Sequence, residues 1–198
     1  LFLLSKGFSA TFKNHLYFFL FMAKLRKFVA YRRLERPYTR TSKYKKEAYI
    51  RMSPAVKIVR FVTGNSNKKF KYTLLLLSKS DLQIRDNALE SARQTSNKLL
   101  EKTIGISSYH LKLRTYPHHV LREHALAAGA GADRFSSGMA HSFGKPISSA
   151  AQIKRGEVIF LVSVNKPNIN LAKRALERAS KKLPCSCMIQ IAENGLAQ

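Results

Sequence analysis

With 198 residues the chain is long enough to bury the core of one domain with extensions, and its two cysteines exclude a small domain held by a disulfide framework. Its 36 lysines and arginines outnumber its 11 aspartates and glutamates, so the formal charge is +25, an excess that repels itself unless a polyanion neutralises it. Because the basic residues run along the whole chain, composition favours a protein embedded in RNA, with a protein on an anionic membrane surface as the alternative.

Residues 1–21 contain two apolar runs separated by the polar residues Lys13, Asn14 and His15. The longer run is far short of the roughly 20 residues that a membrane-spanning helix needs. No small-residue cleavage site precedes the basic body, as a signal peptide would require. Because Met22-Ala-Lys-Leu-Arg-Lys looks like a natural start, we expect residues 1–21 to be an upstream extension from a misplaced start codon.

Residues 22–56 form a basic arm in which arginines and lysines alternate with tyrosines. Pro37 would break a helix here, and no apolar stripe is sustained. Cations neutralise phosphates and aromatic rings stack on bases, so the pattern predicts an RNA-binding arm, with a solvated disordered tail or a localisation signal as the alternative. The arm residues expected to contact RNA are Arg26, Arg32, Arg33, Arg36, Tyr38, Arg40, Lys43, Lys45 and Lys46.

The first half of the globular part predicts two strands, a helix and a third strand. The strands cover residues 57–62 and 70–77, with turn residues at 64–67 between them. Ser80 and Gln83 have the spacing of a capping box, which predicts a helix over about 81–102 that stops at Gly105. The apolar face of this helix is expected to contain Ile84, Ala88, Leu89, Ala92, Thr95, Leu99 and Leu100.

Residues 109–114 alternate cleanly between apolar and polar, which predicts a half-buried strand. Its buried side is expected to carry Tyr109, Leu111 and Leu113, and its open side His110, Lys112 and Arg114. His118 and His119 follow, and we favour packing or an RNA contact for this pair over a metal site or a catalytic base, because the one carboxylate close by is Glu123.

The second half predicts strands at 150–154, 157–164 and 186–192, with a helix before the last strand. Asn165 or Asn168 caps this helix, and Pro184 ends it. Its core face contains Ala172, Ala175, Leu176 and Ala179, and its outer face contains Lys173, Arg174, Arg178, Lys181 and Lys182. The strand–helix–strand pattern therefore occurs twice, which predicts an α+β fold over residues 57–192, a two-layer α/β sandwich, followed by a tail at 193–198.

Residues 127–146 have neither helical nor alternating periodicity, although periodic segments flank them. They contain four of the nine glycines, at Gly129, Gly131, Gly138 and Gly144. Long loops inside compact domains are usually functional or disordered, and small residues let the backbone approach another molecule closely. With Asp133, Arg134, His141 and Lys145 as polar groups, this stretch predicts a projecting loop that reaches into a phosphate-rich place.

Two glycine patterns in the loop resemble nucleotide-binding motifs and fail on spacing. After Gly129 and Gly131 a dinucleotide loop needs glycine at the sixth position, where Arg134 stands. Between Gly138 and Gly144 five residues intervene where a phosphate-binding loop has four. Cys185 and Cys187 lack the second ligand pair of a structural zinc site, which favours buried thiols over metal ligands.

Long segments of the chain resemble one family. They are Met22-Ala-Lys-Leu-Arg-Lys, Tyr31-Arg-Arg, Arg36-Pro-Tyr-Thr-Arg40, Ala88-Leu-Glu-Ser-Ala-Arg-Gln-Thr-Ser-Asn97, Tyr109-His-Leu-Lys-Leu-Arg-Thr-Tyr-Pro-His-His-Val120, Ala130-Gly-Ala-Asp-Arg134, Gly138-Met and Ser142-Phe-Gly-Lys-Pro146. They are similar to the universal large-subunit ribosomal protein L-sixteen family in its archaeal and eukaryotic form, L-ten-e. The archaeal form fits better, because the chain has no long extension after its last strand. Phe135-Ser-Ser137 departs from the family pattern.

The resemblance implies a structural protein of the ribosome, cytoplasmic and without cofactor, metal or small-molecule substrate. It implies a sandwich lodged in large-subunit rRNA beside neighbouring large-subunit proteins, between the central protuberance and the base of the factor-binding stalk. Outside the arm, the residues expected at rRNA are Lys112, Arg114, His118, His119, Arg122 and Lys145. The loop is expected to approach tRNA near the peptidyl-transferase centre through Gly129, Gly131, Asp133, Arg134, Ser136, Ser137 and Gly138.

Three classes of function compete on the residues alone. A structural RNA-binding component accounts for the distributed charge. An enzyme acting on RNA would need a positioned base or metal set, and the sequence offers none. A membrane-surface protein rests on residues 1–21 and net charge alone, and an RNA-binding protein outside the ribosome remains the alternative to the first class.

Overall fold

The computed structural model describes residues 27–39, 53–123 and 144–194. Within these ranges it contains eight strands and two helices. The strands are β1 (Val62–Gly64), β2 (Tyr72–Ser78), β3 (Leu82–Arg85), β4 (Tyr109–Leu113), β5 (His119–Glu123), β6 (Lys145–Ile153), β7 (Val158–Val164) and β8 (Cys187–Glu193), and the helices are α1 (Asp86–Ile104) and α2 (Ile169–Ser180). The chain divides into two compact units, Leu1–Ala30 and Tyr31–Gln198, and all these strands and helices belong to the second.

Five strands form one antiparallel sheet in the order β1-β4-β7-β2-β8. The strands β2 and β4, which α1 connects along the chain, lie on either side of β7. The strands β7 and β8, which α2 connects, lie on either side of β2. The two strands of each strand–helix–strand unit therefore lie on either side of a strand from the other unit. This is a split β-α-β arrangement. The two units predicted from the sequence are confirmed, and they interlock in one sheet.

Both helices pack on this sheet and against each other, which makes the second layer of the α+β fold. The helix α2 buries Ala172, Ala175, Leu176 and Ala179 completely, as predicted. Three of the four are alanines, so the backbone of α2 can lie close to its neighbours. Beneath the helices, Leu74, Leu76, Phe160 and Val162 of the central strands are fully buried. Burial of such apolar side chains is the main favourable contribution to folding.

The helix α1 begins at Asp86, and the predicted start near residue 81 is wrong. Residues 82–85 form β3, which pairs with β6, so Ile84 is buried in a strand rather than on the helix. The capping box is also wrong, because Gln83 donates from its side-chain amide to the backbone oxygen of Tyr31. Asp86 begins the helix instead, since its Oδ1 accepts the Asn87 amide at 2.8 Å and a carboxylate suits a helix N-terminus.

The buried face of α1 is rotated relative to the prediction. Leu89, Ala92, Ser96 and Leu100 are buried, whereas Ala88, Thr95 and Leu99 are half-buried. The predicted stop at Gly105 is confirmed, because this residue ends the helix with φ +75, a conformation that favours glycine.

Two predicted strands begin at clearly different residues in the structure, and one strand was not predicted. The first strand is Val62–Gly64 rather than 57–62. The strand predicted at 150–154 begins at Lys145, so it takes in two residues that the sequence pattern assigned to the loop. The strand β5 has no counterpart among the predicted strands, because His119 and Arg122 interrupt its apolar pattern. Together β3, β6 and β5 form a second antiparallel sheet with β6 in the centre.

A buried ion pair lies on α1. Arg93 donates to both carboxylate oxygens of Glu90, at 2.8 and 2.6 Å, and Gln94 donates to the same carboxylate at 2.9 Å. Burial raises the pKa of Glu90, but the hydrogen bonds from Arg93 and Gln94 and the charge of Arg93 outweigh it and hold this pKa below its usual value. Each charge is therefore stabilised by its partner and would be costly to bury alone.

Replacing Glu90 by glutamine should destabilise the fold by about 3 kcal/mol, because it leaves the Arg93 guanidinium buried without a countercharge. The measurement is the free energy of unfolding in urea at neutral pH. Glu101→Gln is the matched control, since Glu101 is an exposed carboxylate on the same helix. Because the pKa of Glu90 is lower in the folded than in the unfolded chain, the pair contributes fully above the unfolded pKa and loses its effect as the pH falls through the folded pKa. Equal losses in Glu90→Gln and the control would contradict the assignment.

Candidate nucleic-acid interface

Residues 31–39 of the basic arm are held along the three-stranded sheet; we call this stretch the anchored segment. The Tyr38 amide donates to Nδ1 of His119 at 2.8 Å, and the Val120 amide donates back to the Tyr38 oxygen at 3.2 Å. The side chain of Gln83 donates to the backbone oxygens of Tyr31 and Arg33, and that of Gln152 donates to the oxygen of Glu35. The backbone of the segment is thus bound at several points.

Two tyrosines of the anchored segment meet arginines of the sheet. The Arg122 guanidinium lies 4.0 Å from the centre of the Tyr38 ring, and that of Arg85 lies 4.5 Å from the centre of the Tyr31 ring. Such cation–π contacts are attractive because the face of an aromatic ring is electronegative. The sequence assigned both Tyr38 and Arg122 to RNA, and the structure places them against each other.

The adjacent histidines differ in their surroundings. His119 is buried, and its Nδ1 accepts the Tyr38 amide, so its imidazole packs within the protein; of the two uses predicted for it, this geometry favours packing over an RNA contact. Burial, with smaller effects from neighbouring charges, lowers its pKa and keeps the ring neutral. His118 is exposed, and its Nδ1 lies 3.1 Å from the Tyr116 oxygen.

The arginines of the anchored segment remain open to solvent although its backbone is bound. Arg32, Arg33 and Arg36 are all exposed. Arginine offers five donors in a planar fork that matches phosphate oxygens. Because the backbone beneath them is already fixed, less conformational entropy is lost when they bind a phosphate.

The outer face of α2 is a second basic surface, which we call the helix face. It consists of Lys173, Arg174 and Arg178 of α2 and of Lys181 and Lys182 directly after the helix, and all five are exposed as predicted. Within the described ranges none of the five forms an ion pair. This face follows directly from the sequence, because the opposite side of α2 is fully buried and sets the orientation of the helix.

A third surface lies on the open side of β4, and we call it the β4 face. Lys112 and Arg114 are exposed as predicted, while His110 is half-buried and its pKa is lowered by burial and then by the charge of Lys112. Beside them, the ring of Tyr116 stacks on Phe61 with centroids 5.6 Å apart, and Tyr116 is 58% exposed. An exposed aromatic ring among cations is a surface on which an RNA base can stack.

The sequence assigned no role to Tyr116, although a signal was present. Exposed Lys112, Arg114, Tyr116 and His118 alternate with buried residues across residues 111–119. The alternation seen in β4 therefore continues beyond its end at Leu113, and it puts Tyr116 on the same open side as the cations of that strand.

The loop predicted at 127–146 joins two neighbouring strands. Glu123, the last residue of β5, lies opposite Lys145, the first residue of β6, and this pair is the loop base. The Tyr31 hydroxyl donates to the Glu123 carboxylate at 3.2 Å, so the anchored segment also contacts the base. Lys145 is exposed, as expected for an RNA contact.

Several predicted site residues lie outside the described residues, and their roles stay predictions. In the loop these are Gly129, Gly131, Asp133, Arg134, Ser136, Ser137 and Gly138, and in the arm Arg26, Arg40, Lys43, Lys45 and Lys46. Across the described part of the chain no group of three or more His, Cys, Asp or Glu side chains could hold a metal ion. In the same part, no helix is long and apolar enough to cross a membrane.

The chain matches the family model described as ribosomal protein L16p/L10e over residues 37–190. It is 47% identical over 161 residues to the large ribosomal subunit protein uL16 of Archaeoglobus fulgidus, which covers 81% of this chain and 89% of that protein. The proteins of the same name from Methanococcus maripaludis strain C7 and Staphylothermus marinus are 45% and 46% identical, over 77% and 74% of this chain and 88% and 84% of theirs. The basic surfaces, the α+β fold and these matches agree: the chain belongs to the L16p/L10e family of ribosomal proteins and is a structural component of the large ribosomal subunit, not an enzyme.

Proposed function

We propose that this protein binds large-subunit rRNA through the anchored segment, the helix face and the β4 face, and that its loop approaches tRNA near the peptidyl-transferase centre. The observation that carries the RNA part is the anchored segment, where three exposed arginines stand on a backbone that the protein itself holds. A solvated tail would not have its amides and carbonyls bound to a folded sheet, so this geometry argues against that alternative for residues 31–39.

The three surfaces belong to different elements of one folded unit. A protein that touched RNA at a single patch would leave the other cations facing one another or solvent at an electrostatic cost. Several basic surfaces on one small body instead suit a partner that folds around it, as rRNA does. The exposed Tyr116 adds a stacking surface for an unpaired base beside the β4 face.

The proposed role of the loop rests on its base and its composition. The base is set by a strand pair and by the contact between Tyr31 and Glu123. Its glycines present backbone without bulky side chains, which suits close approach to a partner that arrives and leaves. Arg134 is the cation proposed to meet a tRNA phosphate, with Asp133 either orienting it or forming an internal salt bridge that shapes the loop.

Removing the charges of the anchored segment should weaken the salt dependence of rRNA binding. Each neutralised phosphate contributes roughly 0.7 to 0.9 to the slope of log affinity against log salt, so replacing Arg32, Arg33 and Arg36 by glutamine should reduce the slope by about 2. The measurement is the dissociation constant for a large-subunit rRNA fragment at several salt concentrations. The matched control replaces Lys69, Lys98 and Lys102, three exposed lysines to which we assign no RNA contact. The same reduction in both variants would show that only net charge matters.

Replacing residues 130–139 by a Gly-Ser linker of equal length should leave the fold and rRNA binding intact and slow translation. The buried side chains of the described core lie outside this stretch. The measurements are circular dichroism during urea unfolding, subunit occupancy by gradient sedimentation, and the rate of peptide synthesis. Loss of cooperative unfolding would mean that the loop is part of the core, and a normal synthesis rate would remove the proposed contact with tRNA.

Replacing Arg134 by alanine should slow peptide synthesis about tenfold more than it lowers subunit occupancy, because it removes one charge-assisted phosphate contact. Arg134→Lys keeps the charge and loses the planar fork, so it should fall between the wild type and Arg134→Ala. If the Asp133–Arg134 salt bridge alone matters, Asp133→Asn should impair synthesis as much as Arg134→Ala. Full occupancy with wild-type synthesis in both arginine variants would exclude a tRNA contact for this residue.

A further inference from the structure

Two free thiols face each other at the start of β8. The Sγ atoms of Cys185 and Cys187 are 3.6 Å apart, which is van der Waals contact, and both side chains are half-buried. Cys187 is the first residue of β8 and lies opposite Ser78 of β2, whereas Cys185 precedes the strand. The strand β8 is at the edge of the five-stranded sheet, so β2 is its single partner among the described strands.

The surroundings of the pair make the two sulfurs chemically unequal. A hydrogen bond from the Cys187 thiol, assisted by one from Ser78, overcomes burial and lowers the pKa of Cys185 to about 7. The same hydrogen bond, burial and the charge on Cys185 raise the pKa of Cys187, against a smaller opposing effect of Lys79. The pair therefore favours a state in which the Cys187 thiol stabilises a thiolate at Cys185, an arrangement typical of a reactive and a resolving cysteine.

We propose that Cys185 and Cys187 form a thiol-oxidation site, at which a low-molecular-weight disulfide converts the two thiols into an intramolecular disulfide. Neither the RNA surfaces nor membership of the family calls for such a site. The geometry carries the proposal, because two sulfurs already in contact on half-buried side chains need no unfolding to meet.

The reaction balances in two exchange steps. The Cys185 thiolate attacks one sulfur of the small disulfide, forms a mixed disulfide and releases one small thiolate. Cys187 then gives its proton to that thiolate and attacks the Cys185 sulfur, which forms the protein disulfide and expels the second small thiolate. The two cysteines together lose two electrons, and the small disulfide accepts them and becomes two small thiols. Once Cys185 is in the mixed disulfide it no longer carries a charge, so Cys187 loses one cause of its raised pKa.

The sulfurs must approach from 3.6 Å to about 2 Å for the bond to form. Cys185 can supply this movement, because it stands outside the β8 ladder. Ser186 between the two cysteines is held, since its oxygen accepts the Lys79 amide at 3.0 Å. The product would be a small ring attached to a sheet edge, and strained or exposed disulfides of this kind are easily reduced. The site should therefore be reversible.

The test uses the full-length protein in buffers with increasing ratios of oxidised to reduced glutathione at neutral pH, followed by acid quenching and intact-mass measurement. The wild type should lose two hydrogen atoms, and peptide mapping should place the link between residues 185 and 187. Cys187→Ser should stop at the mixed disulfide and gain the mass of one bound glutathione. Cys185→Ser should react about tenfold more slowly than Cys187→Ser, because Cys185 keeps the hydrogen bond from Ser78 that lowers its pKa, whereas burial raises the pKa of Cys187.

A second measurement tests whether the difference in rate between the two single variants depends on the folded structure. In concentrated urea the two single variants should react at equal rates, because each remaining thiol is then exposed to solvent and no longer has its folded surroundings. Serine is close to cysteine in size, and circular dichroism checks that each variant folds. Three results would overturn the proposal: a wild type that accumulates only the mixed disulfide, a wild type that forms only disulfide-linked dimers, or single variants that react equally fast when folded. Return of the wild type to the dithiol on adding reduced glutathione would support reversibility, and failure to return would overturn that part.

Discussion

The hydrogen bonds that join Tyr38 to His119 and Val120 connect the basic arm to the folded part of the chain. Together with the hydrogen bonds from Gln83 and Gln152, they order the backbone of residues 31–39. Ordering a free chain on RNA would instead cost backbone entropy at each residue. Because these hydrogen bonds already order the segment in the folded chain, RNA binding does not carry this loss of backbone entropy. Tyr31, at the other end of the same segment, reaches the Glu123 carboxylate at the loop base. The anchored segment therefore positions the exposed arginines and also contacts the loop base.

Five of the eleven carboxylates of this basic chain serve its internal structure. Glu90 neutralises a buried arginine, Asp86 binds the Lys57 amide and the Ser148 hydroxyl, and Glu123 accepts from Tyr31. Asp81 and Glu157 accept backbone amides in the turn that precedes β7. Carboxylates that already accept these hydrogen bonds are not available to pair with the cations of the helix face. The positive surfaces thus remain available to a polyanion, and the fold stays stable despite a charge of +25.

The parts of the fold that could be predicted from the sequence are those with one uninterrupted period. The alternation in β4 and the alanine face of α2 each have a single buried side, and both match the structure. The start of α1 was not predictable in this way, since Leu82 and Ile84 fit a helical face as well as a strand and only the pairing of β3 with β6 decides between them. The strand β5 contains His119 and Arg122, whose polarity is satisfied by the anchored segment, a contact between residues about 80 positions apart that no local pattern reveals.

The same long-range contacts explain why the candidate site was only partly predictable. Basic residues interleaved with tyrosines correctly indicate a cationic surface, but they cannot tell which rings are open. Among the described residues, Tyr38 faces Arg122, whereas Tyr116, which the pattern did not mark, has an exposed ring. An arginine that stacks on a tyrosine of its own chain is also oriented by that ring, since the guanidinium lies against its face. Tyr31 and Tyr38 therefore bind arginines of their own chain and help to hold the anchored segment in place, and the exposed arginines beside them are the groups left to meet the proposed RNA partner.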